Sequence, residues 1–214
     1  MILRLTTLTV LSLSVLACSS TPRLPAKEHL AMLQQRLKAT TQVQAWTQLA
    51  AQPLPAKPQV FEINDTLPVT KVDQSNGYAL KFALSDFQAP YSIVLQGFSN
   101  VQTADGNILM FAPVVYLLDE QHQITRQFAA KDLVRRGAFN LERTIFMNPK
   151  NAQERYLVIA GDLDGESFDR KVASSNQGAV YVAGAGSISW ATGSESKNTV
   201  FYSPVGSVLI KVNH

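Results

Sequence analysis

The spacing of apolar side chains changes character along this chain. Residues 26–39 (AKEHLAMLQQRLKA) place Leu30, Leu33 and Leu37 three and four apart, with Lys27, Glu28, Gln34, Arg36 and Lys38 elsewhere. That period predicts one amphipathic helix, with Pro25 at a position a helix start tolerates. Residues 40–48 alternate instead, and read either as a first strand or as a continuation of the helix. Pro53, Pro55 and Pro58 then mark a linker. From residue 59 onward, short runs with a period of two take over. They lie at 60–63, at 78–84, where Tyr78, Leu80, Phe82 and Leu84 alternate with Ala79, Lys81 and Ala83, and at 91–98. Asn76-Gly77, Gln88-Ala89-Pro90 and Asp105-Gly106-Asn107 supply turn chemistry between them.

The longest apolar run, 108–120 (ILMFAPVVYLLDE), predicts a strand buried on both faces at the centre of the fold; a buried helix is the competing reading. Pro113 predicts a bulge or a strand start within it, because proline donates no ladder hydrogen bond. An exposed return strand is expected over 121–128, paired through a hairpin at 120–123. Further strands are expected at 141–147 and 155–160 around a turn at 148–151, and a short helix over 165–172. Strands at 187–191, 199–202 and 207–212 close the chain. Eight to ten short strands with few helices between them predict a mainly β fold: a mostly antiparallel β-sandwich with one N-terminal helix. The expected organisation is a leader at 1–17, a tether at 18–25, helix and linker at 26–58, and a sandwich domain at 59–214.

The first residues refine this picture. MILRLTTLTVLSLSVLAC has one basic residue, then an apolar stretch too short to span a bilayer, then small residues, which is the form of an export signal. Its ending, Val15-Leu16-Ala17-Cys18, resembles the bacterial lipobox. By that resemblance the Cys18 thiol is acylated, the leader is cut before it, and the membrane becomes a partner through the N-terminal lipid. A plain signal peptide that happens to contain cysteine is the alternative. Cys18 is the single cysteine, so no disulfide competes for it. Ser19 follows it, and among Gram-negative lipoproteins a serine there implies the periplasmic face of the outer membrane; a soluble periplasmic product is the second reading.

Charge excludes one class of partner. Lys and Arg total 19 against 16 Asp and Glu, and removing the leader takes away Arg4 alone, leaving 18 against 16. No basic stripe accompanies that near balance, so nucleic acid is not expected. Arg135-Arg136, the densest basic spot, reads as solvated surface.

Candidate chemistry is sparse. His29, His122 and His214 share no ligand spacing and read as solvated, and no histidine or carboxylate pair is placed for acid–base work, so no enzymatic activity is expected. Asp162-x-Asp164-Gly165 has the opening of a calcium loop, which makes Asp162 and Asp164 metal candidates, but it lacks the distal glutamate; a solvated acidic turn is the simpler reading and no metal is expected. Gly184-Ala185-Gly186-Ser187 is half a dinucleotide fingerprint with no helix pattern after it, so it reads as a turn and no cofactor is expected. Sugar-binding sandwiches stack aromatic rings on pyranose faces, which makes Trp46, Trp190 and Tyr181 candidate ligand-binding residues, with packing as the plainer alternative.

From about residue 40 to 212 the chain resembles the maltose operon periplasmic protein (MalM) family. The resemblance rests on Phe111-Ala112-Pro113 leading into Val115, Leu117, Leu118 and Asp119, on Leu141-Glu142 and the Pro149 turn, on Tyr156-Leu157-Val158, on the closing strand near Gly206, and on Trp46 upstream. It implies an exported accessory of maltose and maltodextrin uptake, with maltodextrin or an uptake-system component as partner. It supplies no catalytic residue. A structural or partner-binding lipoprotein without a sugar ligand is the alternative expectation.

Overall fold

The computed structural model describes residues 23–72, 75–136, 140–161, 167–182 and 186–214, and of residues 99–102, 168–182 and 186–198 it describes the backbone. Helix α1 (Ala26–Ala39) has the bounds that the leucine spacing predicts, and it buries Ala26, Leu30, Leu33 and Leu37. Ala26 and Leu30 pack on Leu109 and Phe201, while Leu37 reaches the main core. Pro25 precedes the helix, and the Asp105 carboxylate accepts the Ala26 N–H at 3.3 Å, supplying from a distant turn the acceptor that a helix start needs.

Fifteen strands follow among the described residues: β1 (Val43–Gln44), β2 (Ala51–Pro53), β3 (Gln59–Ile63), β4 (Val69–Val72), β5 (Ser75–Ala83), β6 (Tyr91–Gln102), β7 (Ile108–Phe111), β8 (Pro113–Leu118), β9 (Ile124–Phe128), β10 (Val134–Arg136), β11 (Asn140–Met147), β12 (Tyr156–Gly161), β13 (Ser167–Val182), β14 (Gly186–Ser203) and β15 (Gly206–Asn213). They form two sheets. The first runs β1-β4-β5-β12-β8-β9 with β2 beside β5; the second runs β10-β11-β6-β7-β14-β13, with β15 joining β6 to β3. All pairings are antiparallel except β1 with β4, β2 with β5 and β14 with β7. Phe82, Val115, Leu117, Leu157 and Ile159 of the first sheet meet Ile93, Leu95, Ile145, Val208 and Ile210 of the second in one core. The mainly β, sandwich-like fold with its N-terminal helix is as expected. The strands outnumber the expected eight to ten because short pieces, such as β1, β2, β4 and β10, carry too few residues to show a period.

The central apolar run divides. Its first part, β7, pairs in the second sheet, and its second part, β8, begins at Pro113 and pairs in the first. Pro113 is thus a strand start, and Ala112 is the crossing between layers. Gly97 of β6 lies under this crossing, where a Cβ would come 2.5 Å from the Phe111 carbonyl oxygen. Both halves are buried on both faces, so the run contributes to both layers and not to one central strand.

Other expectations need correction. Asn76-Gly77 is no turn: it lies inside β5 opposite Lys71 and Thr70. A Cβ on Gly77 would fall 2.7 Å from Val72, so this glycine serves close packing. Residues 40–48 form strand only at Val43–Gln44 before turning. The short helix expected at 165–172 is replaced, over the residues described, by the start of β13, which pairs with β14 along its whole length. The return strand after the central run is present as β9.

The outer face of the first sheet is also buried. Ala79, Val114, Tyr116, Leu118, Val158 and Ala160 point outward and pack with Leu49, Trp46 and Tyr156. The chain between β1 and β2 therefore acts as a lid on that face.

Candidate functional site

Three segments distant in sequence meet at one end of the sandwich. The loop between β5 and β6 brings Ser85, Asp86, Gln88 and Ala89; the segment after β2 brings Leu54, Pro55 and Ala56; Tyr91 opens β6, and Val212 and His214 lie at the end of β15. A groove of about 340 Å³ opens between them, within the size range of small-molecule sites, roughly 300–1,000 Å³. The Tyr91 and His214 rings stand 5.9 Å apart at 36° and form an aromatic wall. Leu54, Pro55 and Val212 are the apolar members. Ser85 and Gln88 make no side-chain hydrogen bond among the described residues, and both can donate and accept.

Charged groups stand beside two of the groove's polar residues, Asp86 and Tyr91. Asp86 lies 3.7 Å from the Arg155 guanidinium, and that guanidinium is held by the carbonyls of Ala152 at 2.6 Å and Glu154 at 3.1 Å. Behind Tyr91, Glu154 is fully buried and takes a two-pronged ion pair from Arg126: Nε at 2.8 Å to one oxygen and Nη2 at 2.6 Å to the other. Thr125 donates a further hydrogen bond at 2.9 Å. Burial first, and the Glu154 charge second, raise the Tyr91 phenol above its ordinary value, against the pull of Arg126. Tyr91 therefore stays a hydroxyl donor throughout the neutral range.

A second polar cluster lies beneath the lid of the first sheet. Lys81 is 4% exposed, projecting from β5 on the outward face. Its Nζ lies 2.8 Å from the Trp46 carbonyl, 2.7 Å from His122 Nε2 and 4.2 Å from the centre of the Tyr156 ring. His122, in the β8–β9 hairpin, stacks on Tyr156 at 4.5 Å and 19°. It is the one described non-glycine residue with positive φ, 61°. His122 is thus engaged, correcting its reading as solvated. Burial lowers the Lys81 pKa. The three protons of an ammonium match three neighbours here: two lone-pair acceptors and a ring face.

The candidates read from sequence scatter. Trp46 turns its ring to Tyr116 at 4.8 Å and gives its indole N–H to the Lys71 carbonyl at 3.2 Å, so packing occupies it. The backbones of Trp190 and Tyr181 lie in the β13–β14 hairpin, opposite Gly178 and Ser187; their side chains fall outside the described set. Cys18, Asp162 and Asp164 lie outside the described residues. Among the described residues no group of three or more His, Cys, Asp or Glu could hold a metal ion. The groove escaped sequence reading because a linker, a loop and two strand ends far apart in sequence supply it, and the available signal was an aromatic placed directly after Pro90. No family model, curated protein or solved structure matches this chain.

Proposed function

We propose that this chain is a lipid-anchored accessory protein of the bacterial envelope, acting in maltose and maltodextrin uptake and holding short oligosaccharides in the Tyr91–His214 groove. The observation that carries the ligand half is the groove itself: an aromatic wall beside Ser85, Asp86, Gln88 and Tyr91, a set of donors and acceptors suited to sugar hydroxyls. The lipobox-like ending at Cys18 and the resemblance to the maltose operon periplasmic protein family support the setting. Calorimetric titration with maltodextrins tests the ligand half: saturable heat is expected, and absence of both heat and any rise in melting temperature would defeat it. Palmitate labelling tests the anchor, with incorporation expected in the full chain and lost in Cys18→Ala.

A partner-binding role without sugar is the second reading. It is favoured by Val60, Val134 and Phe146, exposed by 52%, 52% and 65%, which share the outer face of the second sheet. Cross-linking from a photoreactive residue at position 146 in intact envelopes would return an uptake-system component if this reading holds, and no adduct if it does not.

A further inference from the structure

We propose that the hairpin tip at 119–123 is an acid-released latch, held over the outer face of the first sheet by the Lys81–His122 hydrogen bond and let go when the imidazole takes a second proton. The inference is independent of the sugar groove. At 2.7 Å between Nζ and Nε2, one nitrogen must present a lone pair. Lys81 as an ammonium spends its protons on His122, the Trp46 carbonyl and the Tyr156 face, so neutral His122 is the acceptor. Protonating His122 removes that acceptor and sets two positive charges against each other in a site where Lys81 has almost no contact with water.

The groups facing His122 are few. Lys81 comes from β5 and Tyr156 from β12; the segment after β1 offers only the Trp46 carbonyl. Its own hairpin supplies Asp119 and Glu120. Asp119 accepts the Gln123 N–H at 2.8 Å and so closes the turn; its charge, with the Glu120 backbone, favours the imidazolium. Burial, first, and Lys81, second, outweigh them and hold the His122 pKa below its ordinary 6.5. Closed hairpin thus binds the proton more weakly than open hairpin, so acidification through about 6.5 favours opening. The left-handed backbone at His122 adds to this, since a β-carbon there is tolerated only while contacts hold it. Opening bares Lys81 and the face of Tyr156.

Hydrogen exchange on the full chain, expressed as protection factors for residues 119–123, reads the latch. Wild type is expected to lose protection between pH 7.5 and pH 5, because the closed hairpin binds the imidazole proton more weakly than the open one. Asn at 122 accepts a left-handed backbone and does not titrate, so His122→Asn is expected to show the same protection at both pH values. In Lys81→Met, the His122 titration followed by NMR is expected to move up towards 6.5. Equal acid loss in wild type and His122→Asn, unchanged protection in wild type, or a His122 titration indifferent to Lys81→Met would each overturn the proposal.

Discussion

Two histidines of this protein lie against tyrosines, and their settings are opposites. His122 is stacked flat on Tyr156 with the Lys81 ammonium shared between them, and the Trp46 carbonyl takes a further proton of that ammonium. His214 leans on Tyr91 at a wider distance and angle, at the mouth of a groove whose serine and glutamine spend no side-chain hydrogen bond on the described protein. The residue types are nearly the same. Lys81 already gives its protons to the Trp46 carbonyl and to His122, so a ligand there would have to break bonds; Ser85 and Gln88 spend none on the described protein, so a ligand beside them gains bonds. Burial and prior commitment, more than chemical identity, separate a structural cluster from a receptive one.

That contrast can be tested by substitution. The largest effect belongs to the wall behind the groove: Glu154→Ala strands Arg126 and should cost about 3 kcal/mol in urea denaturation, at the low end for a broken buried pair because Arg126 keeps 25% exposure. Trp46→Ala should cost about 2 kcal/mol, less than a fully buried tryptophan, and leave maltodextrin heats unchanged; altered heats would move the ligand site to the lid. Lys81→Met keeps the buried stem but deprives the Trp46 carbonyl and His122 of their donor, for about 1 kcal/mol in the same assay. Tyr91→Ala should change stability by less than about 1 kcal/mol yet abolish maltodextrin heat, the reverse of the lid variants. The smallest effect concerns Asp105. Its hydrogen bond from Thr103 chiefly, and those from Asn107 and Ala26, hold its carboxyl below the usual range. A depressed acid stabilises above its ordinary value, so this contribution is lost as pH falls through the folded value; exchange of the first-turn amides of α1 should quicken there in wild type and show no such step in Asp105→Asn.

The sequence made some of this legible. Three leucines fix α1 because a 3.6-residue period has no competing explanation, and Pro113 marks a strand start because its missing N–H must fall where a ladder begins. The allocation of β7 and β8 to different sheets was not legible, since both halves are buried on both faces and burial carries no label of which layer buries it. Gly77 misled for a related reason: glycine serves turns and close packing alike, and Val72 decides between them only in three dimensions. The groove stayed hidden because Leu54, Asp86, Tyr91 and His214 are joined by topology and not by spacing. His122 carried no local signal either, as its partner Lys81 lies 41 residues away.

Strand β6 runs unbroken from Tyr91, in the groove, to Gln102, beside the turn whose Asp105 pins the start of α1. Twelve extended residues cover roughly 35–40 Å even with the irregularity near residue 99. The first described residues, Arg23 and Leu24, and the start of α1 therefore lie at the pole opposite the groove. Substitutions in the groove and at the helix start are thus far enough apart that their effects on stability should add.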